Sequence, residues 1–348
     1  MKKFITTTCV FVLPFFGLYL FNVINYSQRG AEGDLARMGY FYTNPSPRSV
    51  IDSLYVIPKQ YTLLSEIGLS SKEKFDVMTI GDSFSEQGKL GWKNYLAATG
   101  TSVLHVDRFI SGSNPIQTLV SLVNSGFFDH IKPEFVVVQS IERDFNTRAT
   151  SLDFAAKMDL NALTEKIEKH KSSSPNYDLQ FFSDATLKMP LNNFQFSYTD
   201  KPIFSNTHQV KTTRRDLFSN SPDQLLFYKH DLQKMGAKND SLKTLSSIDA
   251  IGQLSEMLAQ LDVELIVLVS PDKFDLYYPF VADQSKFETP TFFATYEGAD
   301  KAYVNVDTYR IFSEKMGEQK DIYYYDDTHW SPVGGKIVVN EVLRLMNQ

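Results

Sequence analysis

Short apolar segments alternate with segments of helical spacing through much of this sequence, and this alternation limits the fold more than any other feature. Five segments combine strand length with β-branched or aromatic residues: 75–83, 101–109, 133–140, 263–271 and 321–327. Segments with helical spacing lie between or after them, at 89–100, 115–126, 246–262 and 331–346. Because strands that alternate with helices form parallel sheets covered on both faces, the pattern predicts an α/β fold with a five-stranded parallel sheet.

The alternation is interrupted between about 145 and 245, where the sequence is polar and irregular. We interpret this span as a large insertion in one domain that covers 75–348, not as a second domain with its own core. Within it, residues 192–200 (NNFQFSYTD) alternate polar and apolar side chains, which is typical of a strand.

The N-terminus has the pattern of a membrane signal. Lys2 and Lys3 precede residues 4–23, which contain no charged side chain. That length matches the roughly 20 residues that a helix needs to cross a bilayer, and positive charge stays on the cytoplasmic side. We therefore predict a signal anchor at 1–24 and a juxtamembrane linker with an N-terminal extension at 25–74. The protein would cross the inner (cytoplasmic) membrane once and face the periplasm; a cleaved signal peptide is the alternative.

Charge and cysteine content restrict the classes of partner. The formal net charge is -6, and the one notable basic cluster, KTTRR at 211–215, is typical of a solvated loop. Nucleic-acid binding needs clustered positive charge, so we do not expect a nucleic-acid partner. Cys9 is the one cysteine, so no intramolecular disulfide can form.

Two segments place catalytic residue types at one edge of the predicted sheet. Ser83 directly follows the first strand and His329 directly follows the last, and ligands of parallel sheets bind at the carboxyl ends of strands. A serine hydroxyl becomes a nucleophile when a histidine takes its proton and a carboxylate orients that histidine. Asp326 and Asp327 both stand close enough in sequence to reach the ring. The backbone N–H groups of Ser83 and Gly112 are candidate donors to an oxyanion.

These motifs resemble the SGNH (GDSL-type) hydrolase superfamily: GDSF (81–84) after a strand, a glycine after the second strand, and DDTHWSPVGG (326–335) near the end of the chain. The last motif is most similar to the alginate O-acetyltransferase branch, whose members O-acetylate polysaccharides outside the cytoplasm. The resemblance covers about 76–145 and 246–345 and implies a flavodoxin-like three-layer fold. The serine precedes the histidine motif, as in ordinary SGNH hydrolases.

The resemblance also implies roles for single residues. Ser83 would be the nucleophile, His329 the base and Gly112 an oxyanion donor. The Asp-x-His-Trp pattern of the acetyltransferase branch selects Asp327 as the third member of the triad, whereas the Asp-x-x-His pattern of the hydrolases selects Asp326. Where the superfamily has Gly-x-Asn-Asp, this chain has 140–143 (SIER), so Arg143 or a backbone N–H would replace the asparagine donor.

Further residues are candidates for substrate contact. Trp330 lies beside the base and either stacks on a sugar ring or packs the loop. Lys273 follows the fourth strand and contacts substrate or pairs with Asp272 or Asp275. The remaining histidines form neither a His-x-His nor a His-Glu-x-x-His pattern, and the sequence has no Gly-rich phosphate loop, so we expect no metal and no cofactor.

The sequence thus predicts an extracytoplasmic O-acetyltransferase that acts on a polysaccharide through an acyl-serine. By resemblance, a membrane-bound partner that exports acyl groups would supply the acetyl group. An SGNH esterase that uses water as acceptor is the alternative, because the same triad serves both reactions. A second alternative is a non-catalytic SGNH-like subunit that binds polymer in an export complex.

Overall fold

The computed structural model of the protein describes residues 1–29, 33–41, 48–69, 73–172 and 185–348. Its strands are β1 Thr62–Leu63, β2 Glu73–Ile80, β3 Val103–His105, β4 Ile131–Ile141, β5 Thr207–Lys211, β6 Gln224–Tyr228, β7 Glu264–Ser270 and β8 Val304–Val306. Its α-helices are α1 Lys2–Arg29, α2 Asp34–Gly39, α3 Arg48–Tyr55, α4 Leu64–Ile67, α5 Trp92–Ala98, α6 Arg108–Ser111, α7 Pro115–Val123, α8 Glu142–Thr150, α9 Leu160–Ser172, α10 Ala185–Gln195, α11 Lys229–Gln233, α12 Met235–Lys238, α13 Ser241–Ala259, α14 Lys273–Tyr277, α15 Phe292–Gly298, α16 Thr308–Lys315 and α17 Pro332–Met346. Short 3-10 helices lie at Ser83–Ser85, Gly88–Leu90, Phe127–Asp129, Tyr278–Phe280 and Gln284–Lys286.

A six-stranded sheet forms the centre of the protein. Its order is β1-β3-β2-β4-β7-β8, and every neighbouring pair is parallel. Apart from the two-residue edge strand β1, this is the flavodoxin-like order, in which the chain starts in the middle of the sheet and winds toward both edges. The predicted parallel α/β fold is therefore confirmed. Ligands of such sheets bind where the winding direction reverses, which here is between the ends of β2 and β4.

Side-chain alternation along the strands produces two separate cores. Val137 of β4 faces one apolar cluster, which also contains Trp92 and Val338 from α5 and α17. Its neighbours Val136 and Val138 face the other cluster, which is closed by helices α7, α13 and α15. Because both faces of the sheet are covered in this way, the domain has three layers.

Two predicted strands are wrong, and two short strands of the central sheet were missed. Residues 321–327 do not form a strand; the segment makes a single bridge between Tyr323 and Trp330. Its aromatic side chains have strand composition, but the Lys273 ammonium takes the carbonyl oxygens of Tyr324 and Tyr325, which a sheet neighbour would need. The edge strands are instead β1 and β8, which were too short for periodicity to reveal. The alternating segment 192–200 is also wrong as a strand, because α10 covers its first residues.

The span at 145–245 packs on the main body where the structure describes it. It contributes the antiparallel pair β5–β6, and Leu225 and Phe227 of β6 lie in the same apolar cluster as the sheet residues Val137 and Ile266. Leu226, which points the other way, packs against Leu35 of α2. The hairpin therefore connects the central sheet to the N-terminal extension.

The N-terminal helix α1 is separate from these cores. Its stretch Lys2–Phe21 has 20 residues with a mean hydropathy of 2.0, and none of that stretch is buried. It is long and apolar enough to cross a membrane, and either an anchor or a signal sequence has these properties.

Candidate active site

The turn that follows β2 sets the position of Ser83. Strand β2 ends at Ile80, and a 3-10 helix begins at Ser83. Gly81 fits between them because it has no side chain: a Cβ there would lie 2.3 Å from Ser85 Oγ and 2.6 Å from Gln139 Oε1. The turn can therefore pack directly on β4, and Ser83 remains partly exposed at the sheet edge.

Asp82 fixes this turn to the end of β4. Its carboxylate accepts hydrogen bonds from the Phe84 N–H at 3.2 Å and the Ile141 N–H at 2.8 Å, and it pairs with the Arg148 guanidinium at 2.6 Å. Burial alone would raise the pKa of Asp82, but the charge of Arg148 and the hydrogen bonds from Arg148, Ile141 and Gln139 together lower that pKa. The carboxylate thus stays ionised and caps the short helix that carries Ser83.

Ser83, His329 and Asp327 form one hydrogen-bonded chain, although 246 residues separate the serine from the histidine. The Ser83 Oγ lies 2.8 Å from His329 Nε2, and His329 Nδ1 lies 2.6 Å from Asp327 Oδ1. The same Asp327 oxygen accepts the backbone N–H of His329 at 3.0 Å, which fixes the carboxylate against the ring. In this geometry the imidazole can accept the serine proton at Nε2 while Asp327 holds the Nδ1 proton.

The charges of His329 and Asp327 support that proton transfer. Burial would lower the pKa of His329, but its hydrogen bond to Asp327 and the charge of that carboxylate outweigh burial and raise the pKa above 6.5. Burial would likewise raise the pKa of Asp327, yet the hydrogen bond and charge of His329, together with the charge of Arg48, hold it well below 3.8. A permanent carboxylate therefore stabilises the imidazolium that forms when the serine is deprotonated.

The Asp326 side chain faces away from His329 and toward the N-terminal extension. Its Oδ2 accepts the Gly33 N–H at 3.1 Å, and its carbonyl oxygen accepts the Leu35 N–H at 3.0 Å. Of the two aspartates that the sequence left open, the structure thus brings Asp327 to the imidazole and uses Asp326 to hold the N-terminal extension.

The comparison with protein families bears on the C-terminal part of this site. Residues 220–348 match the family model described as SGNH hydrolase-like domain, acetyltransferase AlgX. The similarity to this family is therefore shown for the C-terminal region of the chain. The matched region includes Asp327 and His329, and Ser83 lies before it; the predicted similarity to the acetyltransferase branch is confirmed by this match. No curated protein and no solved structure matches the chain. The match supports a hydrolase or acyltransferase kind of enzyme and a role in the polysaccharide acetyltransferase family.

The N-terminal extension adds two residues to this site, Asp34 and Arg48. Sequence analysis missed both of them. The Asp34 carboxylate accepts the Thr328 N–H at 2.7 Å and the Thr328 hydroxyl at 2.5 Å, and it lies 3.6 Å from His329 Nδ1. The Asp34 N–H donates to Asp327 Oδ2 at 3.2 Å, and the Arg48 guanidinium donates to the same oxygen. The segment that contains Asp34 had the composition of a linker.

The extension lies directly against the loop that carries Asp326, Asp327 and His329, which we call the catalytic loop. A Cβ at Gly33 would lie 2.1 Å from the Asp326 carbonyl oxygen, so no larger residue fits without displacing the loop. Leu35 and Ala36, which follow, are fully buried. These two apolar residues after a glycine were the available signal in the sequence, but a pair is too short to show periodicity.

Asp34 provides a prediction about pH dependence. Burial, and then the charge of Asp327, raise the pKa of Asp34 to about 6, so above that pH a second carboxylate faces His329 Nδ1 and helps to raise the histidine pKa. The base acts in its neutral form, so activity falls as the pH drops through the pKa of His329. Asp34→Asn removes one anion, and we expect the acidic limb of the kcat/KM profile for an acetyl ester to move to lower pH.

The matched control is Asp283→Asn, which removes the same charge from an exposed aspartate that pairs with Lys286. It should leave the acidic limb in place. An Asp34→Asn profile that superimposes on the wild-type profile, or that moves to higher pH, would contradict this electrostatic role.

The oxyanion donors predicted from the sequence need correction. The Ser83 N–H has no protein acceptor among the described residues and lies beside its own Oγ, as an oxyanion donor should. The Gly112 N–H, in contrast, donates to the Arg108 carbonyl at 2.9 Å; the glycine is needed there because φ is 63°. The Arg143 guanidinium bonds to the buried carboxylates of Asp231 and Asp272, so it is part of an ion network and not of the oxyanion site.

Neither candidate substrate contact is open to a substrate: for Trp330 the loop-packing alternative holds, and Lys273 bonds to backbone carbonyls in place of substrate, Asp272 or Asp275. Trp330 is fully buried, with its ring 4.8 Å from the ring of Phe84 and 5.7 Å from that of Phe312, so it packs the loop and offers no face to a sugar. Lys273 is buried as well, and its ammonium donates to the carbonyls of Tyr324, Tyr325 and Asp327. Burial lowers the pKa of Lys273 to about 8. Its role is to shape the loop that carries His329.

Among the residues that the structure describes, two groups of carboxylate and imidazole ligand atoms lie close enough to hold a cation: Asp34, Asp327 and His329, and Glu142, Asp272 and Asp275. In the first group, the hydrogen bond between Asp327 and His329 already uses two of the ligand atoms. In the second, the Lys238 ammonium lies among the carboxylates and bonds to two of them. In both groups, hydrogen bonds within the protein therefore already occupy ligand atoms.

Proposed function

We propose that this protein is an extracytoplasmic O-acetyltransferase that transfers an acetyl group to a hydroxyl of a polysaccharide through an acyl-serine. The observation that carries the proposal is the hydrogen-bonded chain of Ser83, His329 and Asp327, at the reversal point of a flavodoxin-like sheet, in a protein whose C-terminal region matches the AlgX-type domain. A non-catalytic polymer-binding role would leave this aligned nucleophile and base without a purpose.

The geometry supports two successive acyl transfers. In the first, His329 Nε2 takes the Ser83 proton while Oγ attacks the carbonyl carbon of an acetyl ester; the same nitrogen then protonates the leaving oxygen, and an acetyl-serine remains. In the second, a sugar hydroxyl gives its proton to His329 Nε2 and its oxygen attacks the acyl carbon. The ester bond to Ser83 Oγ then breaks, and His329 returns the proton to that oxygen. The Ser83 N–H stabilises the tetrahedral oxyanion in both steps.

The compartment in which the domain lies limits which molecule can supply the acetyl group. If α1 anchors the domain outside the cytoplasm, acetyl-CoA cannot reach the site, so a membrane-bound partner would have to export the acetyl group. As an anchor, the apolar stretch Lys2–Phe21 would keep the domain near the membrane where such a partner would act.

The decisive experiment gives the purified full-length chain an acetyl ester with and without oligosaccharides, both neutral and uronic. We expect acetylated sugar, detected by mass spectrometry, and labelling of Ser83 by a fluorophosphonate; Ser83→Ala should show neither. Release of acetate at the same rate with or without sugar would assign the protein to the esterases. Absence of both turnover and labelling in the wild type would leave the polymer-binding role.

A further inference from the structure

Helix α10 and the turn after it carry an apolar stripe that faces away from the protein. Leu187, Leu191, Phe194 and Tyr198 follow one another at steps of four, three and four residues, which places them on one side of a helix. Their exposed fractions are 80%, 40%, 63% and 78%. A surface helix normally turns such a stripe toward the core, so this one is inverted.

The opposite side of α10 attaches the helix to the body. Met189 and Asn192 are buried there, and the Asn192 side-chain amide donates to the Gly39 carbonyl at 3.0 Å. The neighbouring Asn193 amide donates to the Tyr40 carbonyl at 3.3 Å. These bonds hold α10 at the end of α2, and they fix the apolar stripe in its outward orientation.

The segment after α10 enlarges the apolar surface. Ile203 and Phe204 are 78% and 45% exposed, and the Ile203 N–H donates to Gln195 Oε1 at 3.2 Å, which keeps the turn beside the helix. The Phe194 and Tyr198 rings are in contact, with centroids 5.3 Å apart. Contiguous exposed apolar surface of this kind marks an interaction site.

Helix α1 is the observation from which we argue what covers this surface. α10 contacts α1, the helix whose stretch Lys2–Phe21 can cross a membrane. If Lys2–Phe21 crosses the membrane, its contact with α10 brings the stripe close to the bilayer, and aromatic side chains such as Phe194 and Tyr198 are suited to the membrane interface. We propose that α10 and the turn after it lie on the membrane surface, with the stripe inserted at the boundary between headgroups and acyl chains.

Such contact would fix the orientation of the active site. α10 holds the end of α2 through Asn192 and Asn193, and the start of α2 holds the catalytic loop through Asp34. A bilayer-bound α10 therefore sets the height and tilt of the Ser83 site above the membrane. This inference concerns placement alone and does not depend on which acyl reaction the site performs.

Tryptophan fluorescence can test the proposal, because both native tryptophans, Trp92 and Trp330, are fully buried. The full-length variant Phe194→Trp is reconstituted in liposomes that contain brominated lipid, with the wild type as background. We expect the added emission to fall about twofold, since an interfacial helix places its apolar face about 5–10 Å into the headgroup and acyl boundary. Tyr198→Trp serves as a second variant should the first fold poorly.

The matched control is Leu242→Trp, at a position of α13 that is 75% exposed. Its emission should respond to aqueous iodide and not to brominated lipid. The proposal is overturned if the tryptophan at 194 behaves like this control. It is equally overturned if that tryptophan is shielded from both quenchers, because a second copy of the chain or another protein would then cover the stripe.

Discussion

Asp327→Asn is expected to lower kcat by about four orders of magnitude, as the loss of the orienting carboxylate does in other serine triads. The Asp327 oxygen that accepts His329 Nδ1 at 2.6 Å fixes the tautomer that leaves Nε2 free for the Ser83 proton. An amide at that place can offer an N–H to Nδ1, which selects the wrong tautomer, and it carries no charge to stabilise the imidazolium. Single-turnover release of the leaving alcohol from an acetyl ester measures the effect directly.

Asp326→Asn is the matched control, because it makes the same change one residue away. Asp326 accepts the Gly33 N–H at 3.1 Å, which an amide oxygen also accepts, so the variant should keep most of the wild-type kcat and its thermal stability. The reverse result, with the large loss in Asp326→Asn, would show that the protein uses the spacing of the ordinary SGNH hydrolases.

The central sheet could be predicted because it depends on repeated local signals. Alternating strands and helices specify a parallel sheet, and the carboxyl ends of parallel strands meet at one edge. Ser83 follows a real strand, but His329 does not, so the meeting of the two residues was predicted by the two motifs and not by the strand ends. The strand predicted at 321–327 failed because composition cannot show that an internal lysine, Lys273, takes the carbonyl groups of this segment.

The contacts of the N-terminal extension could not be predicted in this way. Asp34 reaches Asp327 across 293 residues of sequence, and Arg48 reaches the same carboxylate across 279. The segments that carry them have no sustained apolar periodicity, so no local pattern indicates that they dock. The roles of Trp330 and Lys273 could not be predicted for a related reason. Tryptophan and lysine occur both in binding sites and in protein cores, and only the tertiary packing decides which role a given residue has.

The motif that departs from the superfamily pattern belongs to a buried ion network. Glu142 accepts the Asp272 N–H at 2.8 Å, and the Arg143 guanidinium pairs with Asp231 and Asp272. The Lys238 ammonium lies 2.6 Å from Asp275, 2.9 Å from Asp272 and 3.6 Å from Glu142. The network joins β4, β7 and the inserted span beside the catalytic edge, so these residues stabilise the site where the superfamily would place an oxyanion donor.

Lys238→Met is therefore expected to lower the free energy of unfolding by about 3–5 kcal/mol, because it leaves buried carboxylates without their cation. Urea unfolding of the full-length chain in detergent measures the change. The loss should be smaller in weak acid than in weak base: burial, and then the charge of Asp275, hold the pKa of Glu142 well above 4.5, so this group can take up a proton in place of its lost partner.

The control Lys234→Met removes an ammonium that is 43% exposed and pairs with Asp144 at 2.5 Å. A pair this open to water contributes about 0–1 kcal/mol, so the control should unfold almost as the wild type does. Equal losses in the two variants would mean that the Lys238 network is hydrated and carries little of the stability. A large loss confined to Lys238→Met would show that this cation holds the inserted span against the sheet.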